Sequence, residues 1–113
     1  MIERIAQSLG MYMDVLAARQ ELIASNISNI DTPGYRTMDL DFQGEFQGLL
    51  DGEGAPGIPL EVGGLRINND GNDVNMDREL RLLAENSIRF SAASSLASGQ
   101  IALIKSAIDN LQG

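Results

Sequence analysis

The sequence contains no cysteine, no histidine and no tryptophan. Without cysteine there are no disulfides, thiol nucleophiles or thiolate metal sites. Without histidine the commonest general base and the imidazole ligands of zinc are gone as well. A single lysine, Lys105, stands on a helical pattern with no oxyanion signature near it, so a Ser-Lys nucleophile finds no support. Five aromatic residues, Tyr12, Tyr35, Phe42, Phe46 and Phe90, are too few for a base-stacking platform. No apolar run approaches a membrane span. The opening Met-Ile-Glu-Arg-Ile-Ala-Gln-Ser-Leu-Gly mixes charge into its apolar positions, unlike a cleaved signal peptide. Any exit from the cytoplasm is therefore expected to use another route. No catalytic residue, cofactor or metal ligand is expected.

What is present is acidic and unevenly spread. The 113 residues suit one domain and carry a formal charge of −8. Residues 31–79 hold eleven of the sixteen carboxylates against only Arg36, Arg66 and Arg78, while both ends are nearly neutral. An acidic middle disfavours nucleic acid and anionic membrane surfaces as partners.

The ends read as helices. From Ile2, apolar residues recur at Ile5, Leu9, Tyr12, Leu16, Ile23 and Ile30, and Arg19 and Asn26 occupy the two slots that break the stripe. Toward the C-terminus a 4-3 spacing runs without a slip through Met76, Leu80, Leu83, Ser87, Phe90, Ser94, Ala97, Ile101, Ile104, Ile108 and Leu111. A strict seven-residue repeat of that length predicts a coiled-coil seam, and small Ser87, Ser94 and Ala97 would let a neighbouring helix approach. Asp77 and Glu79 suit the first turn, with Asn75 or Asp73 as cap. The fold class predicted is mainly α. A helix over 1–31 and a helix over 75–111 pair as an antiparallel coiled coil, within one domain spanning 1–113.

Residues 32–74 read as a turn followed by an acidic loop. Eight of the twelve glycines and two of the three prolines fall in 44–72, a density that predicts a mobile loop rather than a helix. Leu60-Glu61-Val62 and Leu65-Arg66-Ile67, either side of Gly63-Gly64, suggest a short β-hairpin. The Gly-Glu-Gly-Ala-Pro-Gly run lacks the Lys and Ser/Thr of a phosphate cradle, so it reads as a linker. The acidic group Asp70, Asp73, Asp77 and Glu79 invites a calcium reading. Neither the Asp70 nor the Asp73 register puts glycine at the sixth position, where Asn75 and Arg78 stand, so helix-start and turn roles are expected.

Two stretches stand apart. In Ser-Asn-Ile-Ser-Asn-Ile-Asp-Thr-Pro-Gly-Tyr, residues 25–35, Pro33 expels Thr32 from helical backbone, and Pro33-Gly34 suits a type II turn. That explains the end of the helix but not Asn26, a polar residue on the apolar stripe; such residues tend to specify register and partner. The second stretch is Asp-Gly-Asn-Asp-Val-Asn-Met-Asp-Arg-Glu, residues 70–79, followed by Ala84-Glu85-Asn86-Ser87-Ile88-Arg89-Phe90.

The first stretch resembles the Ala-Asn-x-Ala-Asn-x-x-Thr-x-Gly-Tyr signature of bacterial flagellar axial proteins, the subunits of rod and hook. Asn26, Asn29, Thr32, Gly34 and Tyr35 stand in the signature positions, with Pro33 inside the turn; Ser25 and Ser28 replace alanines. The second stretch looks like that of a proximal rod subunit. The resemblance implies a structural subunit exported unfolded through the flagellar type III apparatus and polymerised into the drive shaft, in the periplasm. It implies as partners other copies of itself, other rod proteins, the membrane-ring junction protein at the rod base and the export apparatus, without nucleic acid or membrane insertion. In related exported subunits a Phe-x-x-x-hydrophobic element binds the export gate, and Phe42 and Phe46 fit it. The alternatives are a sibling proximal-rod subunit or, outside the family, a non-polymerising helical-hairpin adaptor or export chaperone.

Overall fold

The computed structural model describes residues 2–52 and 57–112. Among the described residues three helices and one pair of short strands follow in the order α1 (Ile2–Ser28), β1 (Met38–Asp39), α2 (Phe42–Leu50), β2 (Leu60–Glu61) and α3 (Met76–Gln112). The 37 residues of α3 make it about 55 Å long, most of the 69 Å length of the molecule. Among the described residues no helix is long and apolar enough to cross a membrane.

The helices α1 and α3 pack antiparallel. Asn26 near the end of α1 meets Glu79 at the start of α3, and Leu16 and Gln20 meet Asn86 two turns on. Val15, Leu16 and Ile23 of α1 are buried, as are Leu82 and Ala93 of α3. Leu40 and Val74 close the seam at the end where the central segment joins it. The core is thus one strip between two helices. By the same register α1 is exhausted near residue 101, so the last three turns of α3 run on alone and every residue from 101 to 111 is exposed.

Two expectations for the middle of the chain are corrected. Phe42–Leu50 is a helix although Gly44 and Gly48 lie in it. Each glycine costs up to about 1 kcal/mol there, but other terms oppose that cost. The Asp41 carboxylate accepts a hydrogen bond from the Gly44 N–H at 3.1 Å, a helix N-cap. Phe42 and Phe46, one turn apart, both meet the Tyr12 ring edge to face, with centroids 6.1 and 6.0 Å away. Phe42 also lies between the guanidinium groups of Arg19 and Arg89, at 4.9 and 5.0 Å. Docking, not propensity, makes this helix.

The expected hairpin is also different. Leu60–Glu61 pairs antiparallel with Met38–Asp39 (Met38 opposite Glu61, Asp39 opposite Leu60), not with Leu65–Ile67. The Val62 N–H extends the pairing to the Thr37 carbonyl at 3.0 Å. After Gly64, in positive φ, the chain instead enters the Asn68–Asn72 turn, closed by bonds between Asn68 and Asn72 and between Asn68 and Gly71. Residues 53–56, within the run read as a linker, lie outside the described residues.

Candidate functional site

The two unusual stretches of sequence meet at one end of the molecule. Asn26, 1 % exposed, is their hub. Its Nδ2 donates to the Met38 carbonyl at 2.8 Å and to Glu79 Oε1 at 3.0 Å. Its Oδ1 accepts from the Met38 N–H at 3.1 Å and from the Tyr35 hydroxyl at 2.9 Å. The amide therefore pairs with β1 as a strand residue would, on the edge opposite β2. A side chain with donor and acceptor side by side is needed for this, which asparagine has and leucine, serine and aspartate lack. Every donor and acceptor of the Asn26 amide is engaged.

Asn29 holds the end of α1 by a second set of bonds. Its Nδ2 donates to the Ser25 carbonyl at 2.8 Å and its Oδ1 accepts from the Thr32 hydroxyl at 3.0 Å. The Tyr35 N–H then closes the turn on the Thr32 carbonyl at 3.2 Å, with Gly34 at φ 76°, in the left-handed region that the third position of a type II turn requires.

The second stretch completes the site. Asn72, fully buried, donates from Nδ2 to the carbonyls of Asn29 and Thr32 at 2.9 and 2.8 Å, a second hydrogen bond to oxygens that also accept from the Thr32 and Tyr35 N–H groups. Its Oδ1 accepts from the Val74 N–H at 2.8 Å. Gly71 has φ 87° and lies so near the first turn that a Cβ there would sit 3.3 Å from the Gly34 Cα. The Asp73 carboxylate accepts from both the N–H and the hydroxyl of Thr37, at 2.6 and 2.9 Å. Asn75 caps α3 by accepting from the Arg78 N–H at 3.0 Å.

A charge cluster lies beneath. Arg19 donates from Nε and Nη2 to the two oxygens of Asp39, both at 3.1 Å, a two-pronged pairing. Arg78 bridges Asp39 and Glu79, at 3.0 and 2.8 Å. Glu79 is wholly buried, and its Oε2 has no hydrogen-bond partner. Burial pushes the Glu79 carboxyl above the ordinary carboxylate value. Arg78 opposes that rise by charge and hydrogen bond and Asn26 by hydrogen bond, while the Asp39 charge adds to it.

A family described as flagella basal body rod protein matches residues 13–36, the second half of α1 and the turn after it. The chain is 32 % identical to the flagellar basal body rod protein FlgB of Escherichia coli (strain K12) over a 127-residue alignment covering 89 % of this chain and 92 % of that one. The chain belongs to the FlgB family of flagellar basal body rod proteins. It is also 30 % identical to FlgB of Salmonella typhimurium, with 100 % of this chain and 99 % of that one covered, and 31 % identical to FlgB of Borrelia hermsii, with 71 % and 77 % covered.

In this member of the FlgB family the signature residues Asn26, Asn29, Thr32, Pro33, Gly34 and Tyr35 lie together and face the 70–79 stretch. The acidic residues of that stretch do not converge on a common point. Asp70 accepts from the Asn72 N–H, Asp73 braces Thr37, and Glu79 faces Asn26 and Arg78. Within the single chain α3 turns Glu79, Leu82, Asn86 and Ala93 toward α1, whereas Leu80, Phe90, Ile101, Ile104 and Ile108 stay exposed and Leu83 and Ala97 are half-buried. Polar Glu79 and Asn86 occupy two inward positions because α1 supplies their hydrogen-bond partners, an arrangement that a stripe of apolar residues cannot reveal. The residues missed from sequence are Arg19, Thr37, Asp39, Asn72, Arg78 and Asn86. Arg19 carried a signal, since with Asn26 it interrupts the α1 stripe and both interruptions face the network; Asn72, Arg78 and Asn86 lay within the second distinctive stretch, but nothing in it marked them individually.

Proposed function

We propose that the chain is a structural subunit of the flagellar proximal rod, exported by the flagellar type III apparatus and built into the drive shaft in the periplasm. Its partners are copies of itself, other rod proteins, the membrane-ring junction protein at the rod base and the export apparatus. The reading contains no catalytic step, cofactor or metal. One observation supports it beyond family membership: the C-terminal third of α3 exposes Ile101 at 68 %, Leu103 at 71 %, Ile104 at 37 %, Ile108 at 49 % and Leu111 at 88 %. A solvated helix end gains nothing from such a series of aliphatic side chains, while burial against neighbours stabilises it by about 1.5–3 kcal/mol for each one fully covered.

The mechanism is folding coupled to assembly. The signature end closes on itself within one chain, and the 4-3 stripe from Leu80 to Ile108 finds its cover on neighbouring helices. Phe42 and Phe46 form the export-gate element. Both rings rest on Tyr12 in the folded chain, so the gate reads them before α2 docks. Replacing Ile101 and Ile104 together with aspartate is expected to abolish rod assembly and swimming while the protein is still exported. Normal motility of that double variant would refute the reading. A helical-hairpin adaptor would instead tolerate the change and melt at a temperature independent of concentration.

A further inference from the structure

We infer that the C-terminal overhang of α3 in one copy docks into the groove between α1 and α2 of the next copy. The inference rests on the rod reading only in requiring that copies of this chain touch. The groove has a volume of about 550 Å³ and is walled by Ile5, Leu9 and Tyr12 of α1 and by Phe46, Leu49 and Leu50 of α2. Among the described residues the wall is left open: Leu50 is 66 % exposed, Phe46 45 % and Ile5 42 %. At the same end of the molecule, past the start of α1, Ile101, Ile104, Ile108 and Leu111 form one aliphatic stripe on a helix that has outrun its partner. Both surfaces are apolar, both are unfilled, and they belong to different parts of the chain.

Length and charge match as well. The overhang of eleven residues is about 16 Å long and the α1 wall from Arg4 to Tyr12 about 12 Å. The last turn of α3 has no basic residue and carries Asp109 just before it, so this helix end is negative by both side chain and dipole. Arg4 lines the end of the groove nearest the α1 N-terminus. Setting Asp109 beside Arg4 lays the incoming helix antiparallel to α1, as α3 already lies within each chain. The incoming copy is thus displaced along the long axis by about the length of the overhang, roughly 16 Å, with its direction unchanged. A contact between two different patches with preserved direction is heterologous, and repeated it gives an open polymer rather than a closed dimer.

The absence of cysteine makes the test direct. Full-length chains carrying Leu49→Cys are mixed under oxidising conditions with chains carrying Ile108→Cys. The mixed adduct is expected to exceed either homodimer about tenfold. Arg4→Glu on the Leu49→Cys chain is expected to cut the yield about fivefold, and Asp109→Arg on the Ile108→Cys chain to restore it. A dominant Ile108→Cys homodimer would mean tail-to-tail pairing, and absence of adduct would mean that another protein covers the groove. Either overturns the inference, as does failure of the charge exchange to restore the yield. The same pair in isolated basal bodies separates the two readings. Basal bodies that contain the chain but no adduct overturn the contact alone, whereas an adduct from a chain absent from basal bodies overturns the rod assignment alone.

Discussion

The two ends of the molecule are built on opposite terms. At the signature end the polar atoms of Asn26, Asn29, Asn72 and Asp73 are bonded within the chain, and Arg19, Asp39, Arg78 and Glu79 neutralise one another in pairs. At the other end α3 presents Ile101, Leu103, Ile104, Ile108 and Leu111 to water beyond the reach of α1. The first end fixes its own geometry through directional bonds, so it can form before any neighbour arrives. The second gains from area alone and has nothing of its own to bury against. One end of the chain is thus closed by its own hydrogen bonds, while the other leaves its apolar area uncovered.

The largest break in that contrast is expected from Asn26→Leu. The side chains are similar in volume, but the substitution leaves the Met38 N–H and carbonyl, the Tyr35 hydroxyl and Glu79 Oε1 each short of a partner. Unmade buried hydrogen bonds cost more than made ones contribute, so a loss of about 3–4 kcal/mol is expected. Urea unfolding of the purified chain, followed by its helical signal, measures it. Ile101→Ala at the other end is expected to move the same midpoint by less than about 0.5 kcal/mol, because its side chain contacts little in the single chain. Comparable losses at the two sites would end the distinction between a finished and an unfinished end.

A smaller break should follow from Gly71→Ala. The added methyl group meets the Gly34 Cα at 3.3 Å, and the backbone at φ 87° is one that residues with a Cβ resist. A cost of about 1–2 kcal/mol is expected. The loss should fall on the contact between the two turns and so appear as faster amide exchange at Gly34, whose N–H donates to the Asp70 carbonyl at 2.9 Å. Unchanged exchange there would mean that the turns are held by Asn72 alone.

What could be read from sequence divides along the same line as the forces. The long helices, the Asn75 cap and the Pro33-Gly34 turn were legible because their causes are local: periodicity, a capping side chain and a restricted backbone. Helix α2 was not legible, since its glycines oppose it and its support comes from Tyr12, Arg19 and Arg89, distant in the chain. The pairing of β2 was missed for a similar reason: its partner strand lies beyond α2 and not across the adjacent Gly63-Gly64. Asn26 was visible as an anomaly on an apolar stripe, but Met38 and Glu79 as its partners were not. Glu79 illustrates the limit best. In sequence it is one acid among several in a first turn, and only packing shows it to be a buried carboxylate on the seam.

That carboxylate allows the finest test of how self-sufficient the signature end is. Its pKa is raised by burial, so folding favours the protonated form. The sign follows from linkage. Below the ordinary glutamate value both folded and unfolded states hold the proton, and the contribution is fully present. As the pH rises past that value the unfolded chain releases its proton first, and stability from this group falls until the folded carboxyl has also ionised. The groups facing it are Arg78 on α3, Asn26 on α1 and Asp39 on β1, the last held in turn by Arg19. Glu79→Gln keeps an acceptor for Asn26 and Arg78, leaves Arg78 paired with Asp39, and removes the titration. The variant is therefore expected to lie within about 1 kcal/mol of the parent at pH 7. Its stability relative to the parent should improve as the pH is raised from 4 to 7, as read from paired urea midpoints. A difference that stays constant over that range would show that the proton is held no more tightly in the folded chain than in the unfolded one. The unpartnered Oε2 would then have to be solvated through an opening in the network, and the signature end would be less closed than its hydrogen bonds indicate.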